Sequence, residues 1–299
     1  MNFKSKFTLA FLFSAFATHA QLPDTDIFVF DISYSGDSMI FSNPTNITNR
    51  VGYDNQPYFV DDNLLFYTSV RDKQSDIYQY DLASKTEKQI TNTPESEYSP
   101  QLSPDKTHIS VIRVEMDEKT QRICQYNLEG GDLKYFWKTM TRAGYYCWMS
   151  KEDVAAFVLA DSTAINSNHL EVYGTTTGST NVLDGEIGRT LIKRTDENAL
   201  SYISKNGALW WIMNFNWDRF QVEELVPTLE GQEDFCWTPD GILLMGKDGI
   251  LYSRDPDNAD GDWKPVADFS KTEYARFYRL AVSPNGKKLA LVTYVGEKP

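Results

Sequence analysis

From about residue 26 to residue 295 the chain is written in short apolar segments, each closed by a tight polar turn. The clearest unit is Ser99-Pro100-Gln101-Leu102-Ser103-Pro104-Asp105, running on into His108-Ile109-Ser110-Val111-Ile112-Arg113-Val114. Pro-Asp supplies the turn, and the apolar, β-branched run after it predicts a buried strand. Weaker copies recur at one spacing. Aligning the residue three before the turn position matches Phe59, Leu102, Trp148, Lys193, Trp237 and Val282, at intervals of 43, 46, 45, 44 and 45 residues. The turn position reads Asp62, Asp105, Lys151, Asp196, Asp240 and Asn285. A sustained period in the forties with strand-type content predicts a propeller with one four-stranded blade per repeat.

Four strands, A to D, fit each repeat. Strand A precedes the turn and strand B follows it: Leu64 to Val70, Ile109 to Val114, Val154 to Leu159, Ala199 to Ile203, Ile242 to Met245 and Leu289 to Val295. Strand C is expected at Asp76 to Asp81, Arg122 to Leu128, Leu170 to Tyr173, Leu209 to Met213 and Ile250 to Ser253. Asn206-Gly207 and Asp248-Gly249 mark B-to-C hairpin turns at matching places. Strand D, as at Glu87 to Thr91 or Phe220 to Leu225, is more polar and suits the outer rim of a blade. The ends of the chain are out of phase with the repeats. Asp26 to Asp31 reads as a C strand, Asn46-Ile47-Thr48 resembles the end of a D strand, and Arg279 to Val295 supplies only A and B. The two termini therefore complete one blade between them, which closes the ring and removes exposed sheet edges. The expected fold is an all-β, six-bladed β-propeller with four antiparallel strands per blade, over residues 21–299.

Composition changes the picture at the N-terminus. Lys4 and Lys6, the apolar run Phe7 to Phe16 and the small-residue Thr18-His19-Ala20 have the layout of a secretory signal peptide. Residues 1–20 are read as that peptide, with the mature chain starting at Gln21, and an uncleaved anchor is the alternative. The expected location is periplasmic or secreted. The formal charge is -13, and it becomes -15 once Lys4 and Lys6 are removed. Such a surface repels phosphate backbones, so nucleic acid is excluded as a natural partner. Cys124, Cys147 and Cys236 cannot all pair with one another, and their spacing matches no short metal motif, so they are read as buried thiols.

Ile77-Tyr78-Gln79-Tyr80-Asp81, Ile90-Thr91-Asn92-Thr93-Pro94 and the unit at 99–105 resemble the TolB-type β-propeller repeat. The resemblance covers essentially the whole mature chain and is strongest over residues 55–115 and 235–295. It implies a TolB-like propeller of the bacterial cell envelope. Oligogalacturonate lyases resemble this fold but use a His-rich metal site, and only His108 and His169 remain in the mature chain. A Gly-x-Ser-x-Gly elbow is missing as well.

Two stretches carry candidate chemistry. Asp255, Asp257, Asp260 and Asp262 could wrap calcium with oxygen ligands, or could form an ordinary acidic turn; Pro256 and the missing closing Glu break the EF-hand pattern. The D-to-A connections, which a propeller gathers around one mouth of its channel, carry Arg50, Tyr53 and Asp54; Glu95, Glu97 and Tyr98; and Arg142, Tyr145 and Tyr146. Later copies add Glu186 and Arg189, then Glu230, Glu233 and Asp234, then Glu273, Tyr274 and Arg276. Tyr faces with Arg and carboxylate groups suit recognition of a peptide or a sugar, and the plainer reading is a set of polar exposed loops. The expected function is a non-catalytic module binding an envelope protein or peptide. A carbohydrate-active hydrolase or lyase using channel carboxylates is the alternative.

Overall fold

The computed structural model describes residues 22–36, 38–161, 167–174, 179–194, 196–258 and 261–296. The proposed signal peptide, Gln21 and Asp260 lie outside them. The chain enters as β1 (Thr25–Ser35) and β2 (Ser38–Asn46), the C and D strands of a blade left open until the end. Five blades follow in order. Blade one is β3 (Asp54–Phe59), β4 (Leu64–Arg71), β5 (Gln74–Asp81) and β6 (Thr86–Gln89); blade two is β7 (Ser96–Leu102), β8 (His108–Val114), β9 (Gln121–Asn127) and β10 (Lys134–Tyr135). Blade three is β11 (Ala143–Trp148), β12 (Asp153–Val158), β13 (His169–Gly174) and β14 (Ser179–Gly185). Blade four is β15 (Ile187–Lys193), β16 (Ala199–Ser204), β17 (Trp211–Asn216) and β18 (Gln221–Pro227). Blade five is β19 (Phe235–Trp237), β20 (Leu243–Lys247), β21 (Ile250–Arg254) and β22 (Lys264–Asp268). The chain ends as β23 (Phe277–Val282) and β24 (Lys288–Tyr294).

Each sheet is a four-stranded antiparallel meander, and the closing sheet runs β2-β1-β24-β23. Its seam pairs Thr25 with Tyr294 and Asp31 with Lys288, so first and last strands share backbone hydrogen bonds. The ring closes as the off-phase ends require. Several strand limits differ by a few residues, as at Thr25–Ser35 and Gln221–Pro227; the C strand expected from Leu209 begins at Trp211, because Ser204 pairs with Trp211 and leaves Leu209 63% exposed in the turn. At Lys247↔Ile250 the predicted Asp-Gly turn forms, with φ of 54° at Asp248 and 79° at Gly249.

Alternation along the inner strands explains the core. In β4, Leu65 and Tyr67 pack toward the closing blade while Phe66 packs toward blade two. In β11, Cys147 faces blade four while Tyr146 and Trp148 face blade two. Among the described residues the apolar core divides into one cluster per blade interface. A strand apolar on both faces is the consequence of being sandwiched between neighbours. Rim strands lack that cover, and β6 is exposed throughout. All three cysteines are free and buried within these interfaces.

Candidate functional site

The A strands line a central channel of about 740 Å3. Their pairing with strand B slips in β3, β7, β11, β15 and β23, near the end where the D-to-A connection enters. A bulge there turns the strand and re-aims one side chain. Gln56 and Ser99 sit at such bulges with φ of 55° and 52°. The residues three before the alignment column, Gln56, Ser99, Tyr145, Thr190, Asp234 and Arg279, all line the channel, one from each blade.

A charged knot forms at this end. Arg189 donates to Asp234 through Nε at 3.1 Å and through Nη2. Arg279 Nε donates to the same carboxylate at 3.3 Å, and its Nη1 donates to Asn55 Oδ1 at 3.0 Å. Asn55 Nδ2 in turn donates to the Tyr278 hydroxyl. Arg279 lies 5.6 Å from the Tyr145 ring centre, and Arg189 lies 5.6 Å from that of Tyr278. Burial raises the Asp234 carboxyl, but Arg279 and Arg189 outweigh it and hold the group below the usual carboxylate range. Burial pushes the Tyr278 phenol up to about 12, against the pull of Arg279, so it stays a neutral donor. Tyr53 is raised for the same reason, with Tyr98, Tyr145, Tyr278 and Arg279 around it.

The opposite end is built from Trp148, Lys193, Arg194, Asp196, Trp237 and Pro239. Arg194 lies 4.6 Å from the Trp237 ring centre and is bonded to Asp196 at 3.0 Å. Lys193 Nζ donates to the backbone oxygen of Met149, a neutral partner.

The residues expected from sequence divide into two sets. Tyr53, Tyr98, Tyr145 and Arg189 gather at the knot. The others are engaged elsewhere. Arg50 clamps its own connection, donating to Asp54 at 3.0 Å and to Ser69 and Val70 at 2.7 Å, and Asp54 is fully buried. Glu97 is fully buried and accepts from Thr93 and Tyr126. Arg142 pairs with Asp161 at 2.8 Å, and Glu233 pairs with Lys205. Tyr146 is 2% exposed, with its hydroxyl on Ser110 at 2.8 Å. Tyr274 packs 5.1 Å from Phe28, and Arg276 donates to the Tyr294 and Gly296 carbonyls. Arg279, Tyr278 and Asn55 were missed because they lie inside strand A, beyond the connections. The repeat column that holds Asp234 and Arg279 was the signal that could have found them.

His108 bonds Asp105 at 3.0 Å, and His169 bonds Glu171 at 2.8 Å inside blade three; neither lines the channel. In the acidic run, Asp255 accepts from the Asp257 amide at 3.0 Å and Asp262 from the Trp263 amide at 2.7 Å. The described residues hold no group of three or more His, Cys, Asp or Glu placed to bind a metal ion. No helix among them is long and apolar enough to cross a membrane.

No protein-family model matches the sequence, and no curated protein matches it. Solved structures match the fold. A protein described as TolB from Agrobacterium tumefaciens superposes with a TM-score of 0.68 at 15% identity, covering 92% of this chain and 100% of its own. An oligogalacturonate lyase in complex with manganese gives 0.59 at 13% identity, covering 87% and 83%. A nidogen/laminin complex gives 0.60 at 10% identity, covering 80% and 92%. The chain has the TolB-like six-bladed β-propeller fold.

Proposed function

We propose that this chain is an exported propeller that holds a peptide or protein segment of the bacterial cell envelope in its channel, without catalysis. The observation that carries this reading is the make-up of the channel. Tyr145, Trp148 and Trp237 offer flat amphipathic faces, Arg189 and Arg279 offer directed donors, and both lining carboxylates, Asp196 and Asp234, are bonded to arginine. TolB and nidogen propellers share the fold, and the latter was solved with a protein partner.

The test is affinity capture by the mature protein from its own envelope extract, beside a Tyr98→Ala/Tyr145→Ala variant of matched thermal stability. A partner retained by the wild type and lost by the variant supports the reading. Equal retention by both moves the interaction off the channel mouth and refutes it. Export is tested separately by N-terminal sequencing of the mature protein, which should begin at Gln21.

The alternative is a carbohydrate-active hydrolase or lyase, favoured by the shared fold of the manganese-bound oligogalacturonate lyase. The channel residues do not fit a manganese centre of histidine and carboxylate, since no histidine lines it and its two carboxylates are held by arginine. Release of unsaturated products from polygalacturonate by the purified protein would establish this alternative and overturn the first reading.

A further inference from the structure

We propose that the channel ligand is an acidic peptide, bound extended, with one carboxylate at Arg189 and Arg279 and a second, about four residues along, at Lys193. This inference rests on the peptide-binding reading and narrows it. Its first support is a reversal of charge. The channel is lined by Arg189, Lys193, Arg194 and Arg279 against Asp196 and Asp234, two positive charges in excess, in a chain of net charge -13. A concave, low-dielectric wall of net positive charge focuses its field on the ligand, so an anion is drawn in although the outer surface repels it.

The second support is incomplete pairing. Two guanidinium groups share the single Asp234 carboxylate, so the knot keeps one positive charge, with Asp234 5%, the Arg279 side chain 14% and the Arg189 side chain 32% exposed toward the channel end. A charge so placed is costly unless a counter-ion completes it. Arg189 Nη1 and Arg279 Nη2 donate to no described residue, and both residues line the channel. A carboxylate can accept from both, as guanidinium and carboxylate pair readily.

Spacing distinguishes a peptide from an acidic polysaccharide. Arg189 and Lys193 are four residues apart on β15, at most about 13 Å at a strand's rise, because the strand bulges between Ile187 and Leu191. Between the two ends the wall is uncharged, with Pro57, Pro100, Gln101 and Ala281, while Leu191, Phe235 and Leu280 pack into the blade interfaces. A chain acidic at every unit would set carboxylates against that stretch, where no lining cation compensates them. An extended peptide with acids about four residues apart puts uncharged side chains there instead.

The experiment is selection of a random heptapeptide display library on the immobilised mature protein. Enriched sequences should carry Asp or Glu at two positions about four apart. Selection on Lys193→Gln should lose the preference at one of them, and on Arg279→Gln at the other. In solution, the Glu→Gln form of a selected peptide should bind roughly tenfold more weakly by fluorescence anisotropy. Lys193 makes its contact to a backbone carbonyl, so its variant keeps the test valid if Arg279→Gln fails to fold. Enrichment of peptides without acidic bias would overturn this proposal and leave peptide binding standing. Failure to enrich anything over a blank surface would overturn both.

Discussion

Glu97 provides a pH-dependent test of the fold. Its carboxylate is fully buried between blades one and two. Oε1 accepts from Thr93 at 2.6 Å and Tyr126 at 2.9 Å, while Oε2 is buried with no hydrogen-bond partner. Asp76 faces it from β5 and is itself raised by burial; Arg113 Nε lies 3.9 Å away but is committed to Glu95 at 2.7 Å and Glu115 at 3.4 Å. Burial, with Asp76 adding to it, raises the Glu97 carboxyl from 4.5 to about 7. The folded state therefore binds a proton that the unfolded state has released. The stabilisation from the protonated acid is complete below about pH 4.5 and is lost as pH rises through 7. At 1.36 kcal/mol per pH unit the full difference is about 3 kcal/mol. Glu97→Gln mimics the protonated form, keeping an acceptor for Thr93 and Tyr126 and presenting an amide donor toward Asp76. Thermal unfolding followed by circular dichroism at pH 5 and pH 8.5 should show near-equal stability at the lower pH. At pH 8.5 the variant should melt several degrees higher, at about 2–4 °C per kcal/mol. The difference between the two proteins cancels titrating groups that do not interact with Glu97. An offset equal at both pH values, or a variant less stable at pH 8.5, would refute the reasoning.

Three further outcomes are expected. Ser110→Ala leaves the Tyr146 hydroxyl and the Trp148 indole N–H, each 2.8 Å from Ser110 Oγ, buried without a partner; urea unfolding should show a loss of about 2–4 kcal/mol. Gly246→Ala places a Cβ 2.2 Å from Phe277 at the seam of blade five and the closing blade, and should cost about 1–3 kcal/mol, with Phe277→Leu recovering part of it. Burial raises all three thiols, Cys124 and Cys147 to about 12 and Cys236 further, so none should react with an aromatic disulfide at pH 8 until guanidinium unfolds the chain. A rapid native reaction at any one of them would show that its blade interface opens.

Architecture was legible because each blade must satisfy the same constraints. An inner strand covered on both sides has to be apolar, a tight turn favours Asp, Asn or Gly, and a rim strand tolerates Lys and Glu, as at Thr86–Gln89. Repetition of those demands at one period fixed strand type and blade number, and the off-phase ends fixed the closure between β1 and β24. The site was legible only in part. Arg50, Asp54 and Glu97 occupy the same kind of connection as Tyr53 and Tyr98, yet they turn into their blades and bond there. A side-chain period of two makes inward and channel-facing directions differ by one residue, and the bulges decide that residue.

Arg189, Asp234 and Arg279 stand 45 residues apart, one repeat each, so sequence alignment puts them in adjacent blades. That spacing carries no information on whether neighbouring A strands approach closely enough for two arginines to share one carboxylate. The sequence alone determined the repeat, the strand pattern and the ring. Convergence of six strands on a common axis is a property of the closed ring, and only the tertiary structure decided which charges meet there, because burial and bulge geometry act across blades and not along the chain.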